Sequence, residues 1–202
     1  MLRRSFLLLV AVAVSTCSFA QDVYQHDADQ LASLLHWHAG SAVAEIGAGA
    51  GQLTLDAAQR VGPSGKVYTN ELDPAKLSHL QAMAAAHSNI VVVHGSASDT
   101  NLPPNCCDSI FMRLVYHHFT NPAEMDASLL RSLRPEGQLA IIDEEPEQGS
   151  SRPPGVPENR VGHGIPLKVL IDELTAAGFK VNSIRKHWPN QLYCVVFSKA
   201  KP

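Results

Sequence analysis

The chain is short of cysteine and of net charge, and each shortage excludes a class of protein. Of four cysteines in 202 residues, Cys17 falls in an apolar N-terminal stretch, which leaves Cys106, Cys107 and Cys194. An odd, unspaced set of three is not a disulfide scaffold. The adjacent pair Cys106-Cys107 has no second cysteine or histidine pair at finger-like distance, so no metal site is expected. Packing at the start of a strand is the preferred reading of those two thiols over a thiol-based substrate site. The formal net charge is only −3, and it becomes −5 without Arg3 and Arg4 and the acid-free first twenty residues, so nucleic acid is not an expected partner. Internal repeats and low-complexity segments are lacking too. What is present is 45% hydrophobic and 17% charged residues, enough apolar material for one buried core and one domain.

The first stretch reads as a removable leader. Arg3 and Arg4 precede the apolar run Phe6 to Val14, and Ser18-Phe19-Ala20 closes it as a small-x-small cleavage site. Residues 1–20 are therefore expected to be a signal peptide and 21–202 the mature domain, exported to the periplasm or secreted. An apolar run of about nine residues falls short of the roughly 20 of a spanning helix, so no stable membrane association is expected after cleavage. Arg3-Arg4-Ser5-Phe6-Leu7 also resembles a twin-arginine signal. A cytoplasmic location follows if the leader is not used.

From residue 27 onward helical and strand-like patterns alternate, as a parallel sheet with crossover helices requires. Asp27 to His36 is an amphipathic helix, with Ala28, Leu31, Leu34 and Leu35 at helical spacing behind acidic residues. Strands are expected at 42–46, 66–70, 90–94, 108–114 and 137–143, with helices at 51–61, from Pro74 to about His87, and from Pro122 to about Leu133. Asn121, Pro122 and Glu124 have the pattern of an N-cap, first-turn proline and capping-box partner. About twenty residues from Glu144 to Ile165, rich in Pro, Gly and Ser, far exceed the usual connection and mark a functional or disordered loop. A helix from Pro166 to Ala177, with Gly178 behind it, precedes strands at 179–187 and 191–198. The turn Trp188-Pro189-Asn190 between them is too short for a crossover, so one strand of that pair runs antiparallel. His36, Trp37 and His38 read as packing at a helix end.

One segment carries chemistry. Val43-Ala44-Glu45-Ile46-Gly47-Ala48-Gly49-Ala50-Gly51-Gln52 is a strand, an acid, and a glycine-rich turn into a helix, where backbone can approach a ligand and a helix N-terminus offers free N–H groups. A dinucleotide fingerprint would need its third glycine at position 52, which is Gln52; the glycines fall at 47, 49 and 51 instead. Glu71 stands at the end of the second strand, and a carboxylate suits a ribose diol because it accepts two hydrogen bonds while ionised.

On these residues the sequence resembles the class I S-adenosylmethionine-dependent methyltransferases, over nearly all of residues 27–198. Their marks are the acid with G-x-G-x-G, the strand Val67-Tyr68-Thr69-Asn70-Glu71-Leu72-Asp73-Pro74, and Leu133-Arg134-Pro135-Glu136-Gly137, where Glu136 replaces a glycine. The resemblance implies a Rossmann-like three-layer α/β sandwich with a seven-stranded, mostly parallel sheet and an antiparallel C-terminal strand. It implies S-adenosyl-L-methionine as cofactor, held by Glu45, Gly47, Ala48, Gly49, Gly51, Glu71, Leu72 and Arg113. Glu45 either caps the following turn or meets the cofactor's amino group. Where the family often reads G-D-A after strand three, this chain reads Gly95-Ser96-Ala97-Ser98-Asp99, so adenine recognition falls to Ser96, the Ala97 backbone N–H or a displaced Asp99.

The sulfonium already activates its methyl group, so the protein chiefly positions an acceptor and removes a proton where the acceptor needs it. Residues for that task belong at the carboxyl ends of strands four and five. Arg113, Tyr116, His117 and His118 follow strand four, and His117 and His118 are the candidate bases. Glu144, Glu145, Arg160 and His163 in the long loop are candidates for a lid. No insertion is large enough for a substrate domain, so the acceptor is expected to be a small molecule. Resemblance to quinone-biosynthesis-type methyltransferases runs through strands four and five without identifying that acceptor. Two other readings stand beside this one: an exported adenosyl-cofactor-binding module without turnover, and an NAD-dependent oxidoreductase, which suits Glu71 but not Gln52.

Overall fold

The structure is a computed structural model and describes residues 23–200; the expected leader, residues 1–20, lies outside the described residues. Helix α1 spans 23–34. It is followed by β1 (Ala42–Ile46), α2 (Gln52–Val61), β2 (Lys66–Glu71), α3 (Pro74–Ala84), β3 (Ile90–His94), β4 (Cys107–Arg113), α4 (Pro122–Ser132), β5 (Leu133–Glu144), α5 (Leu167–Ala176), β6 (Phe179–Trp188) and β7 (Leu192–Lys199). The sheet order is β3-β2-β1-β4-β5-β7-β6. Strands β1 to β5 pair in parallel, and β7 runs antiparallel to both β5 and β6. The sheet is the seven-stranded, mostly parallel one expected from the alternation of patterns. Its order reverses between β1 and β4, which opens a crevice at their carboxyl ends.

The central strands are apolar throughout because both faces are covered. Alternation still sorts the side chains: Ala44, Ile46, Leu139, Ile141, Val195 and Phe197 join α4 and α5 in one core. Val43, Ala140, Ile142, Cys194 and Val196 join α1 and α2 in the other. A one-residue slip of β1 or β5 would exchange the two sets, which is why the register is strongly specified.

Three local expectations are revised. Strand β5 starts at Leu133 rather than Gly137, because Leu133 already pairs with Cys107 across an irregular register. Helix α3 ends at Ala84, short of His87. Asn121 does occupy the N-cap of α4 but makes no side-chain cap hydrogen bond, so the start signal comes from Pro122 and the acidic Glu124 in the first turn. Among the described residues no helix is long and apolar enough to cross a membrane.

Candidate active site

Strand β1 delivers its chain into the crevice through the glycine turn. Gly47 has φ +68°, and a Cβ there would lie 2.5 Å from Val115 Cγ2 in the turn after β4, so the side-chain-free residue lets the two crevice walls meet. Gly49 has φ +58°, and a Cβ there would meet nothing within 4 Å, so its backbone borders open space. The Ala48 N–H is tied to the Asn70 carbonyl at 2.9 Å.

Glu71 is fixed where the second strand ends. Its carboxylate accepts from the Gly49 N–H at 3.0 Å, the Leu72 N–H at 2.7 Å and the Asp73 N–H at 3.2 Å, with Lys76 Nζ 3.9 Å away. The acid at the end of β2 and the turn at the end of β1 are thus one unit. Leu72 beside it is 49% exposed and offers a bare apolar surface next to the carboxylate.

Glu45 is buried and accepts from the Thr54 hydroxyl and backbone N–H, capping the start of α2. Burial raises its pKa to about 8, opposed by the two Thr54 hydrogen bonds and reinforced slightly by the Glu71 charge. It also lines a cavity of about 100 Å³ with Tyr24, Gly49, Gln52, Leu53 and Arg113. Glu45 thus caps the start of α2 and also lines the cavity.

Arg113, at the end of β4, donates from Nε to Asp27 at 2.6 Å and lies under the Tyr24 ring at 5.3 Å. Asp27 is fully buried and also accepts from Trp188 Nε1 at 2.6 Å. Tyr24 and Asp27 were not found as site residues from the sequence, where Asp27 had the pattern of an ordinary acidic helix start. Nothing local distinguishes it from one.

The loop after β3 is arranged differently. The Ser96 hydroxyl accepts from the Asp99 N–H at 2.9 Å and from the Ser98 N–H at 3.3 Å, forming a self-contained turn. The Asp99 carboxylate faces α4, bound by Arg131 at 2.8 and 3.0 Å and by Ser128 at 2.8 Å. Although partial burial pushes the other way, hydrogen bonds from the Asn101 N–H, Ser128 and Arg131 hold its pKa below the usual carboxylate value. Asp99 is therefore engaged with α4.

A histidine cluster sits at the carboxyl ends of β4 and β5. His117 is buried, and its Nδ1 lies 2.6 Å from Asp143 Oδ1, while its Nε2 is buried with no hydrogen-bond partner among the described residues. His118 follows, with ring centroids 4.1 Å apart, and His163 from the long loop stands 4.6 Å from His117. Partial burial, then its two histidine neighbours, hold the His118 pKa below the ordinary value. The loop itself is pinned: Arg160 is buried and donates to both oxygens of Glu173 on α5, at 2.5 and 2.8 Å, and the Tyr116 hydroxyl lies between Asp126 and Glu173, 2.9 and 3.0 Å from their carboxylates. Burial raises Asp126 to about 7, with the Tyr116 hydrogen bond opposing it.

Cys106 and Cys107 lie at the opposite, amino-terminal end of β4 as free thiols, with Cys107 buried. The Trp37 indole donates to Ser109 at 2.9 Å and packs on Phe111, as a packing role requires.

Comparison with known proteins agrees with this geometry. A family model described as a methyltransferase domain matches residues 44–141. A ubiquinone/menaquinone biosynthesis C-methyltransferase of Hahella chejuensis is 29% identical over 108 residues, which cover 52% of this chain and 43% of that one. The chain thus matches less than half the length of this curated relative. Among solved structures, a SAM-dependent methyltransferase from Aquifex aeolicus superposes with TM-score 0.70 at 23% identity, covering 85% of this chain and 88% of that one. The [4+2]-cyclase SpnF superposes with TM-score 0.69 at 16% identity, covering 88% and 82%. Both show the shared fold.

Proposed function

We propose that this chain is a class I S-adenosylmethionine-dependent methyltransferase that transfers the methyl group of that cofactor to a small-molecule acceptor presented at the histidine cluster. The observation that carries the reading is Glu71 bound to the Gly49 N–H, which puts a ribose-binding acid and a glycine turn within one hydrogen bond of each other.

The residues fit the cofactor. Open space lies over Gly49, the Glu71 carboxylate faces it, and Leu72 gives adenine an apolar surface. A carboxylate has about four acceptor positions, and three are filled by backbone N–H groups, so the long Asp73 bond at 3.2 Å gives way as the ribose diol binds. Glu45 and Arg113 line the cavity beside the turn and supply an acid and a guanidinium for the ammonium and carboxylate of the methionine part. When bound, the sulfonium supplies the electrophilic methyl group.

The chain's own residues then orient the acceptor. His117, held from behind by Asp143, and His118 stand next to Val115, which packs against Gly47, so acceptor and glycine turn are neighbours. The acceptor's proton is lost at this cluster. We propose in addition that residues 1–20 direct export, a reading supported by Arg3-Arg4, the apolar run and Ser18-Phe19-Ala20. Cleavage is tested by N-terminal sequencing of the protein recovered from each cell fraction.

A second reading, a cofactor-binding protein without methyl transfer, is supported by the export-type leader, since the cofactor is made in the cytosol. Calorimetry with S-adenosylmethionine, S-adenosylhomocysteine and NADH on the full chain and Glu71→Ala decides the cofactor. The expected result is adenosyl binding that weakens about 100-fold or more in the variant, as for loss of a charged, bidentate partner. NADH binding alone would sink the reading. Transfer of a deuterated methyl group to candidate acceptors, followed by mass spectrometry, separates turnover from binding.

A further inference from the structure

We propose that His117, His118 and His163 form a binding site for a divalent first-row transition metal of the zinc class, with Asp143 and Glu144 as the carboxylates that orient two of the three rings. One ring nitrogen from each histidine lies within 4.8 Å of the others. The three come from two separate segments of chain, the turn after β4 and the long loop, and the two acids end β5.

The ring nitrogens are sorted for ligation. His117 Nδ1 is taken by Asp143 Oδ1 at 2.6 Å, and Asp143 also accepts from the Glu144 N–H at 2.9 Å, so the acid is anchored. That leaves His117 Nε2 as the ring's remaining nitrogen, buried and unpartnered among the described residues. His163 repeats the arrangement, with Nδ1 3.0 Å from Glu144 Oε1. An imidazole with a carboxylate on one nitrogen, in a cluster whose ligand atoms lie this close together, has the form of a metal ligand with its outer partner. A buried ring nitrogen without a partner is costly, and an ion meets it.

The loop is built to bring His163 there. Its N–H donates to Ser150 Oγ at 2.8 Å, and its carbonyl accepts from the Glu147 N–H at 3.0 Å. Gly164 beside it has φ +104°, and a Cβ there would lie 2.8 Å from the Glu144 carbonyl oxygen, so only glycine lets the loop press onto the end of β5. The donor set is three imidazoles and no thiolate, which suits zinc and its first-row neighbours and does not suit magnesium or calcium. Zinc–nitrogen bonds of about 2.0–2.1 Å in a tetrahedron put ligand atoms roughly 3.3 Å apart, so the cluster closes by small rotations of exposed His118 and half-buried His163 onto fixed His117.

Three protein ligands leave one position open. If the methyl-transfer reading holds, that position takes the acceptor's oxygen, nitrogen or sulfur. The acceptor's proton passes to solvent, its lone pair forms the bond to the methyl carbon, and the sulfur–methyl bond breaks with its electron pair going to sulfur, giving a neutral thioether.

The test uses the untagged full chain, stripped with chelator and titrated with Zn²⁺ and with Co²⁺. We expect one ion per chain, a four-coordinate visible spectrum for Co²⁺, and loss of about 100-fold or more in affinity for His118→Ala and for His163→Ala. Asp143→Asn and Glu144→Gln should each weaken binding about 10- to 100-fold. Thermal melting keeps folding separate, and His163→Gln serves if the alanine variant melts early. Binding of S-adenosylhomocysteine, measured on the same samples, stands on the glycine turn and is expected to persist, so failure of the metal site and failure of the methyltransferase reading are distinguishable. Zn²⁺ binding no tighter in the natural chain than in the His118→Ala/His163→Ala double variant would overturn the proposal, leaving water as the partner of His117.

Discussion

Arg113 at the end of β4 and Asp27 in α1, 86 positions apart in sequence, are joined by a 2.6 Å charged hydrogen bond that closes one side of the candidate cofactor cavity. Asp27 serves Trp188 as well, so a single buried carboxylate ties the first helix to two sheet elements. Removing one partner of a buried ion pair leaves the other uncompensated. Asp27→Ala should destabilise the protein by about 3–5 kcal/mol in urea unfolding. Asp27→Asn, which can keep one of the two hydrogen bonds, should cost less. A loss under about 1 kcal/mol for the alanine variant would mean that the pair does not hold α1 in place.

Glu45 makes stability and binding depend on pH in opposite directions. Its folded pKa of about 8 is above the 4.5 of a free glutamate, so the native state holds an extra proton between those values. Its stability contribution is complete below about pH 4.5 and is lost as pH rises through about 8. Relative to Glu45→Gln, the natural chain should therefore lose a few kcal/mol across that window. A cationic ammonium at Glu45 favours the ionised acid, so cofactor affinity should rise with pH up to about 8 with release of a proton. Calorimetry in two buffers of different ionisation enthalpy measures that proton, and none released at pH 7 would separate Glu45 from the cofactor.

Gly47→Ala should abolish cofactor binding, because the new methyl meets Val115 and the residue keeps a φ of +68°. The left-handed backbone alone costs an alanine about 1–2 kcal/mol. Adding Val115→Ala removes the collision and leaves the backbone strain, so the double variant should recover part of the affinity. No recovery would place the fault in the backbone alone.

The long loop is held by Arg160 and Glu173. Glu173→Gln leaves the buried guanidinium without its charge partner and should cost about 3–5 kcal/mol. It should also speed tryptic cleavage after Arg160, which is buried until the loop loses its anchor on α5. Exchanging both residues for apolar ones, Arg160→Met with Glu173→Leu, should cost less than the sum of the singles, because no buried charge is left unpaired. Equal proteolysis of Glu173→Gln and the natural chain would show that the loop is held by its apolar contacts, Val156 and Ile165, instead.

Local pattern determined the strands at 42–46 and 90–94, the glycine turn, and the acid at the end of β2, because periodicity, glycine spacing and chain order are properties of neighbouring residues. The terminal hairpin was legible for the same reason: a turn that short permits only antiparallel pairing. Long-range pairing left no such trace. Asp27 looked like an ordinary helix start until β4 and the C-terminal hairpin brought Arg113 and Trp188 to it. Asp99 looked like a displaced adenine ligand until α4 presented Arg131 and Ser128. His163 was a candidate lid residue by sequence, and only the folding back of the loop, fastened by Arg160 and allowed by Gly164, set it beside His117. Which charge meets which is decided by contacts across dozens of residues, and the strengths of those contacts depend on burial that no local pattern encodes.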